Sequence, residues 1–481
     1  MSVLVIDVGT SGLRAAVVRP DASVTAVHYR ACPPSTPFPG LVEFDATGMA
    51  SNALDVARAA LAEAGPVQAV GITNQRASTV VWDRDSGQPI GPGLGWQDLR
   101  TVFDCMTIAG EHGLRLAPNQ SATKLRWLLQ NSGDLSGRRL AFGTVDTWLA
   151  WVLSNGALHV TDRTNAALTG LMDGNARDWN PAALDALGVS ADLMPWLVDT
   201  TGIVGVATAL PGAPPIAALA GDQQASLVGQ GCVRPGLAKI TFGTGGMLDL
   251  CVGPTRPAFP SRGDRGSFPV IAWTAGGDAT WGVEGIMLSA GTNVEWLVSD
   301  LGVLADPAES HAVAASVPDA GGVVYVPALF GLGTPRWDYG ARGTLLGITR
   351  GSTRAHIVRA VLEGVAQRGA DLVEAAEADA GVAIAALRVD GGMSVNPTFV
   401  QALADATGHV VEVAPITEAT TLGAGFLAGL AVGVWGGFDD IAAAWSPSNT
   451  VEPGTRLDRA TWARAVDRAA GWIPELSTID F

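Results

Sequence analysis

The chain contains the same strand–turn–strand device twice, about half its length apart, and this repeat constrains the fold more than any other feature. In both copies a strand leads through a tight glycine turn into a second strand, where a Rossmann loop would lead into a helix. The repeat predicts two related domains that face each other. The predicted strands cover residues 3–6 and 13–18, then 237–241 and 247–252, and the turns read Asp7-Val-Gly-Thr-Ser-Gly and Phe242-Gly-Thr-Gly-Gly.

Strands and helices predicted around the two devices are typical of a mixed α/β sheet flanked by helices. A long helix at 352–380 carries apolar residues at helical spacing and has Ser352 or Thr353 as its cap. A later strand ends in Asp390-Gly-Gly. The remaining predicted strands are 24–30, 67–72, 270–274 and 279–284, and the remaining helices are 49–64 and 289–301.

The length of 481 residues exceeds what one hydrophobic core normally supports, so two domains are expected. A Pro-rich stretch at 209–215 and a Gly/Pro break at 229–236 lie on either side of the segment around Asp222. We place the boundary near residue 230. This gives an amino-terminal domain at 1–230, which contains Asp222, and a carboxyl-terminal domain at 231–481.

Charge and composition exclude several functional classes. A net charge of −16 argues against nucleic acid or an anionic membrane surface as a partner, and no apolar run reaches membrane-spanning length. The two lysines, Lys124 and Lys239, lie outside any P-loop pattern. The four cysteines share no metal or disulfide spacing, so buried thiols in a cytoplasmic protein are predicted.

Asp222 is the strongest candidate for a catalytic residue. A short apolar strand ending in Leu219-Ala220 breaks at Gly221 into this acid, which opens a helix. A helix start can present a carboxylate to a ligand and would keep its pKa low if the group were exposed. The same position equally permits a capping role, in which Asp222 accepts hydrogen bonds from the amides of residues 224 and 225.

The glycine turns are candidate phosphate-binding loops. Backbone N–H groups approach an anion closely at such turns, and the hydroxyls of Thr10, Ser11 and Thr244 can add hydrogen bonds. Asp7, where the first strand meets its turn, is placed to support Mg²⁺ through water. The alternative for each turn is an ordinary hairpin.

Together these segments resemble the FGGY carbohydrate kinases, and within them the glycerol kinase branch. The resemblance covers nearly the whole chain in order. The segments that carry it are 7–14, Gly71-Ile-Thr-Asn-Gln-Arg76, Trp96-Gln-Asp98, Lys124-Leu-Arg-Trp127, Gly143-Thr-Val-Asp-Thr-Trp148, Val160-Thr-Asp162, Gly221-Asp-Gln-Gln224, Gly243-Thr-Gly245, Gly331-Leu-Gly-Thr-Pro-Arg-Trp337, 343–363 and Asp390-Gly-Gly392.

The resemblance implies an α/β fold of two ribonuclease H-like domains, of the actin and hexokinase ATPase type, around a deep cleft. It implies ATP and Mg²⁺ as the phosphate donor and its metal, with Asp222 as general base and Asp7 at the metal. The acceptor would be bound by Arg76, Ala77, Trp96, Asn119, Gln223 and Met247. The nucleotide would be bound by Thr10, Ser11, Arg14, Gly243, Thr244, Gly291, Glu295, Gly392, Met393 and Asn396.

Three acceptor positions depart from the glycerol kinase pattern. Ala77 stands where a polyol-binding Glu is expected, and Asn119 and Met247 stand where aromatic residues are expected. A missing carboxylate leaves a glycerol hydroxyl unpaired, which favours a four- or five-carbon polyol or ketose.

Two other functions stay open. One is glycerol kinase activity that has survived these changes, and the more remote one is an ATPase of the same fold without a sugar acceptor. The expected partner is a small sugar or polyol, and a homodimer remains open.

Overall fold

The computed structural model describes residues 2–259, 261–415 and 418–480. The strands within these ranges are β1 (Val3–Val8), β2 (Gly12–Val18), β3 (Val24–Ala31), β4 (Glu43–Phe44), β5 (Ala69–Asn74), β6 (Val80–Asp83), β7 (Gly93–Leu94), β8 (Leu140–Gly143), β9 (Val160–Asp162), β10 (Trp196–Val198), β11 (Thr201–Val206), β12 (Pro215–Gly221), β13 (Leu237–Phe242), β14 (Gly246–Gly253), β15 (Phe268–Ala275), β16 (Asp278–Met287), β17 (Val324–Val326), β18 (Thr344–Leu346), β19 (Ala386–Asp390), β20 (Val411–Val413) and β21 (Asn449–Val451).

The helices pack around these strands. They are α1 (Ala46–Ala64), α2 (Val102–His112), α3 (Ala122–Asn131), α4 (Val145–Leu153), α5 (Arg163–Ala166), α6 (Pro181–Leu187), α7 (Asp222–Gly229), α8 (Thr292–Ser299), α9 (Glu309–Ala315), α10 (Arg354–Ala380), α11 (Pro397–Thr407), α12 (Ala419–Ala431), α13 (Phe438–Ala444), α14 (Arg459–Ala469) and α15 (Pro474–Ser477). Short 3₁₀ turns cover Ala167–Thr169, Ala191–Leu193 and Gly392–Val395.

The predicted duplication is confirmed by the strand order of the central sheet. The amino-terminal half runs β3-β2-β1-β5-β12 and the carboxyl-terminal half runs β16-β14-β13-β19-β20. In both halves the first strand pairs antiparallel with the strand after its glycine turn and parallel with a later strand. The two halves therefore share one topology, and β11 and β15 join them into a single thirteen-stranded sheet within the described ranges.

Helices α7 and α12 form the main packing contact between the halves. They follow β12 and β20, the corresponding strands of the two halves, and they cross where glycines remove the side chains. A Cβ at Gly229 would collide with the carbonyl oxygen of Ala419, and a Cβ at Gly423 would collide with that of Ala225. The close approach of the two backbones therefore requires glycine at both positions.

Helix α10 supplies a large part of the carboxyl-terminal core. It begins at Arg354, two residues later than predicted, and ends at Ala380 as predicted. Thr353 is the cap, and His356 completes a capping box with it. Of the predicted apolar face, Ile357 is half-buried, while the other members are buried: Val361, Val365, Leu372 and Val373.

Three observations concern membrane-spanning helices, the state of the cysteines and metal-binding groups. In the described part of the chain, every helix is too short or too polar to cross a membrane. The cysteines are free thiols, and Cys32 is half-buried while the other three are buried. Residues 2–259, 261–415 and 418–480 contain no group of three or more His, Cys, Asp or Glu that could hold a metal ion.

Candidate active site

Three parallel strands bring the amino-terminal candidates together. Val8, Asn74 and Gly221 are register partners at the carboxyl ends of β1, β5 and β12. The residues beside them, Asp7, Arg76 and Asp222, therefore meet at one edge of the sheet. In the other half, Thr241 and Asp390 are partners at the ends of β13 and β19, so the Phe242–Gly246 turn and the Gly391-Gly392 turn lie side by side.

Asp222 is the first residue of α7, and Gly221 is its N-cap. One oxygen of Asp222, Oδ1, accepts a hydrogen bond of 2.8 Å from the amide of the adjacent Gln223. The alternative that Asp222 caps the helix by accepting from residues 224 and 225 is therefore wrong. The carboxylate is left available to a ligand.

The electrostatic surroundings of Asp222 differ from the sequence-based expectation of a low pKa. Its side chain is 28% exposed, and the Nε of Arg76 lies 3.4 Å from Oδ1. Burial raises the pKa of Asp222, and the Arg76 guanidinium and the Gln223 amide offset this only in part. A carboxylate with a raised pKa is a stronger base than one at an exposed helix start.

A buried polar network fixes the backbone that carries Asp222. The Oγ1 of Thr164 accepts a 2.9 Å hydrogen bond from the amide of Gly221 and donates one of 2.9 Å to Asp162. Asp162 is fully buried and also accepts from Thr200 at 2.8 Å. These contacts hold the strand-to-helix turn, so the base has little freedom to move.

The two polar side chains next to the base are held by the opposite half of the molecule. The Nη1 of Arg76 donates to Glu284 Oε2 at 2.7 Å, and Lys239 Nζ donates to Gln223 Oε1 at 2.6 Å. Burial acts against the charge of Arg76, yet the Glu284 and Asp222 carboxylates raise the pKa of its guanidinium. Arg76 is therefore a permanent cation beside the base.

Trp96 links the acceptor region to the first glycine turn. Its indole Nε1–H donates to Thr10 Oγ1 at 3.1 Å, and its backbone amide donates to Ser78 Oγ at 3.1 Å. Because the Thr10 hydroxyl accepts from Trp96, its own proton stays free for another oxygen. Ser11, the other predicted phosphate-binding hydroxyl of this turn, is exposed.

The three positions that differ from the glycerol kinase pattern lie on separate segments of the chain. Ala77 is buried at φ 60°, and its carbonyl accepts from Ser121 Oγ at 3.0 Å, which connects it to the segment that carries the exposed Asn119. The buried Lys124 Nζ lies 3.4 Å from the Asn119 carbonyl oxygen. Met247 is the second residue of β14 and shares a face with Asp249, two residues on.

Backbone hydrogen bonds hold the second glycine turn, residues 242–246, in place. The amide of Gly291 donates to the carbonyl of Gly243 at 2.8 Å, and the amide of Ala290 donates to that of Thr244 at 2.8 Å. Gly391 has φ 87° and lies against the backbone of Phe242, where a Cβ would collide. The turn is therefore rigid, while Thr244 itself is exposed.

The remaining predicted nucleotide residues lie on the segments that follow β16 and β19. Gly291 precedes α8, and the exposed Glu295 lies in the first turn of that helix. Gly392 and the buried Met393 form the 3₁₀ turn after β19. Asn396 caps α11 by accepting from an amide at 3.1 Å and donates to a serine at 2.9 Å, so its side-chain groups are already engaged.

Asp7 is the candidate ligand for a divalent cation. It is buried, its Oδ2 lies 3.8 Å from the Nε of Arg14, and Thr421 donates to that oxygen at 3.2 Å. Arg14 also pairs with Glu418. The pKa of Asp7 is raised to about 6, because burial and the nearby Asp222 carboxylate together outweigh the lowering effect of Arg14. A carboxylate in such surroundings is compatible with Mg²⁺, which binds through one or two carboxylates, water and substrate phosphates.

Comparison with known families accounts for this arrangement. Residues 2–229 match the FGGY family of carbohydrate kinases, N-terminal domain, and residues 238–432 match the C-terminal domain of that family. The chain belongs to the FGGY carbohydrate kinases. It is an ATP-dependent sugar or polyol phosphotransferase. The FGGY kinase is 42% identical to the glycerol kinase of Aromatoleum aromaticum, with 98% of this chain and 99% of that protein covered.

Other relatives and solved structures agree with the family and the fold. The glycerol kinase of Trichlorobacter lovleyi is 40% identical, again over 98% of this chain and 99% of that protein. The crystal structure of Plasmodium falciparum glycerol kinase with ADP matches with a TM-score of 0.90 and 27% identity, covering 100% and 99% of the two chains. The xylulose kinase of Brucella ovis shares the fold, with a TM-score of 0.86 and 24% identity over 100% of both chains. The predicted pair of actin- and hexokinase-type domains is confirmed.

Sequence reasoning about this FGGY kinase missed the residues that hold its site in place. Glu284, Lys239 and Asp249 lie on apolar strands and support the side chains of Arg76 and Gln223, while Asp162 and Thr164 support Gly221. Charged residues inside otherwise apolar strands were the available signal. The partners of Glu284 and Lys239 could not be read from it, because they come from the other half of the chain.

Proposed function

We propose that this FGGY kinase transfers the γ-phosphate of ATP to a hydroxyl of glycerol, with Asp222 as the general base. The observation that carries the proposal is the Asp222 carboxylate, partly exposed and 3.4 Å from Arg76, at the edge where the strands leading into the first glycine turn and α7 end. Glycerol is favoured over a longer acceptor because relatives about 40% identical over nearly their whole length are glycerol kinases.

The chemistry requires little beyond positioning and charge stabilisation. The acceptor hydroxyl gives its proton to the Asp222 carboxylate while its oxygen bonds to the γ-phosphorus, and the bond from that phosphorus to the bridging oxygen of ADP breaks. The raised pKa of Asp222 supports this role, because burial makes the ionised group readier to accept a proton. The positive charge of Arg76 lowers the pKa of Asp222 and so keeps enough of this carboxylate ionised for turnover.

The acceptor is held by Arg76, Gln223 and Trp96 in this proposal. Arg76 offers guanidinium donors beside the base, and Gln223 offers its amide NH₂, because the amide oxygen is taken by Lys239. The indole of Trp96 supplies an apolar wall. Residues 1–230 would thus form the acceptor and base domain and residues 231–481 the nucleotide domain, and closure between them would exclude water.

The phosphates of ATP are assigned to the two glycine turns. Thr10 donates its free hydroxyl proton, and Ser11 and Thr244 add exposed hydroxyls, together with the amides of the turn at Gly243. Asp7 would hold Mg²⁺, which when bound neutralises charge on the phosphate oxygens. Arg14 sits beside Asp7 and adds positive charge on the phosphate side of the carboxylate. The nucleoside portion is assigned to the pocket walls formed by Gly291, Glu295, Gly392, Met393 and Asn396.

A four- or five-carbon polyol or ketose is the second candidate acceptor. It is favoured by Ala77, Asn119 and Met247, which replace one carboxylate and two aromatic residues at the acceptor. Smaller or more flexible side chains leave room for a longer chain, and Asn119 adds donors and an acceptor for further hydroxyls.

The two candidates are separated by comparing kcat/KM for glycerol, erythritol, xylitol, xylulose and ribulose in an assay coupled to ADP release. Glycerol is expected to have the highest value. Ala77→Glu is expected to raise kcat/KM for glycerol by about tenfold or more, because it supplies a carboxylate acceptor for a hydroxyl. Ala77→Gln is the matched control of nearly equal size, and since Ala77 already has a Cβ, neither variant adds backbone strain.

Three outcomes would contradict the proposal in different ways. A wild-type optimum on a five-carbon acceptor would support the second candidate instead. Equal gains in Ala77→Glu and Ala77→Gln would mean that the side chain at this position does not act through its charge. ATP turnover that no acceptor changes would place the chain with ATPases of the same fold rather than with kinases.

A further inference from the structure

Five charged residues form a straight row across the carboxyl-terminal half of the sheet. They are register partners on five neighbouring strands, β20, β19, β13, β14 and β16, and directly opposed residues lie on the same face. A row of charges on such apolar strands is unusual, because each group must be paired when buried. The members of this charged row are Glu412, Arg388, Lys239, Asp249 and Glu284.

The charged row faces α7, the helix that begins with the base. Arg388 donates to the carbonyl of Gln230, just past the end of α7, and Lys239 contacts Gln223 in its first turn. Glu284 contacts Arg76, which lies beside the same first turn. The row therefore divides into an end that supports the carboxyl terminus of α7 and an end that reaches the acceptor-binding side chains.

Lys239 decides the orientation of the Gln223 amide. Its ammonium group is fully buried, forms an ion pair with Asp249 Oδ2 at 2.8 Å, and donates hydrogen bonds to Gln223 Oε1 at 2.6 Å and Thr241 Oγ1 at 3.1 Å. An ammonium has three donors and no acceptor, so only the oxygen of the Gln223 amide can face it. The amide NH₂, for which no hydrogen-bond partner is seen among the described residues, is left to donate elsewhere.

Glu284 fixes the orientation of the Arg76 guanidinium, as Lys239 does for the Gln223 amide. It is 4% exposed and accepts from Arg76 Nη1 at 2.7 Å, while the Nε edge of Arg76 lies 3.4 Å from Asp222. A planar guanidinium held at one edge presents its other edge in a defined direction. Glu284 thus aims Arg76 at the base and at whatever hydroxyl the base faces.

We propose that Lys239 and Glu284 are positioning residues, through which the nucleotide-binding half of the molecule orients the acceptor-binding groups of the other half. The inference rests on the proposed kinase function and adds acceptor-positioning residues that touch no substrate themselves. It follows that acceptor binding depends on the contacts that Lys239 and Glu284 make at the first turn of α7, and not on the Arg388 contact beyond its carboxyl end. Loss of these contacts then weakens acceptor binding and transfer but leaves ATP binding unchanged.

The test is the double variant Lys239→Met with Asp249→Asn. The second change prevents a lone buried carboxylate, which would unfold the site for unrelated reasons. The acceptor KM is expected to rise by about tenfold and kcat to fall, because one directed hydrogen bond is lost, while the KM for ATP stays within about twofold. Arg388→Met is the matched control from the same row, and its acceptor KM is expected to equal that of the wild type even if its melting temperature falls.

Glu284→Gln gives an independent measurement if the double variant does not accumulate as folded protein. It keeps the size and one acceptor oxygen, so it is expected to raise the acceptor KM by a smaller factor than the double variant. Equal rises in the KM for acceptor and for ATP, or an unchanged acceptor KM in folded variants, would overturn the inference. A wild type that transfers phosphate to no acceptor would refute the proposed function instead, so the two failures are distinguishable.

Discussion

Replacing Asp222 by Asn removes the proposed base and changes little else. Asn keeps an oxygen for the Gln223 amide, and Arg76 is not left alone, because Glu284 still accepts from it at 2.7 Å. A general base contributes about 10²–10⁴ to rate, so we expect kcat to fall about a thousandfold, equivalent to about 4 kcal/mol. The free energy of unfolding should change by less than about 1 kcal/mol, since no buried charge loses its only partner.

The assay pairs turnover with binding. ADP release at saturating acceptor and ATP measures kcat, and calorimetry measures the dissociation constant for ATP. That constant should stay within about threefold of the wild type, because Asp222 contacts Arg76 and Gln223 rather than residues of either glycine turn.

The matched control is Asp45→Asn, which makes the same chemical change at another helix start. Asp45 caps α1 by accepting from the Gly48 amide at 3.0 Å, and Asn is an equally good cap. Its activity should equal that of the wild type. The reasoning is refuted if Asp222→Asn retains more than about a tenth of wild-type kcat, because no base of ordinary strength contributes so little.

Three further predictions concern the frame around the site. Burial, together with the Arg84 guanidinium that donates to Nδ1, lowers the pKa of His159 to about 4. The folded state therefore favours the neutral ring. The stability gained from this difference in pKa is lost as pH falls below the unfolded pKa of 6.5. Relative to His159→Gln, the wild type should lose about 2 kcal/mol more on going from pH 7 to pH 5 in urea unfolding, and equal pH profiles would contradict this. Gly423→Ala should destabilise the protein by about 1–3 kcal/mol, because its Cβ would meet the Ala225 carbonyl, and an unchanged melting temperature would mean that α12 is free to shift. Thr164→Val leaves the buried Gly221 amide without its acceptor, and should cost about 1–3 kcal/mol of stability and lower kcat; full kcat would show that the base does not need this support.

Much of the fold could be predicted from local patterns. The two strand–turn–strand devices, α1 and α10 lie within two or three residues of where alternation, apolar spacing and capping placed them. The apolar face of α10 was also predicted, apart from the half-buried Ile357. Such features depend on neighbours within a few residues, and for this reason they can be read from the chain alone.

The hydrogen bonding and the pKa of Asp222 could not be predicted in the same way. Asp222 at a helix start permits both a cap and a catalytic group, and its pKa was expected to be low if the residue were exposed. The structure makes Gly221 the cap and lets burial raise the pKa of Asp222. Burial depends on segments far away in sequence, so the sign of the shift is a tertiary property.

The sequence by itself determined the family motifs, the duplicated topology and the position of Asp222 between an apolar strand and a helix. Only the tertiary structure decided which side chains support it. Strand alternation assigns Lys239, Asp249 and Glu284 each to a face of its own strand, but it does not say which strands are neighbours or which helix covers that face. The sheet order placed these three charges in one row, and the packing of α7 against that row gave Lys239 and Glu284 their partners at the acceptor.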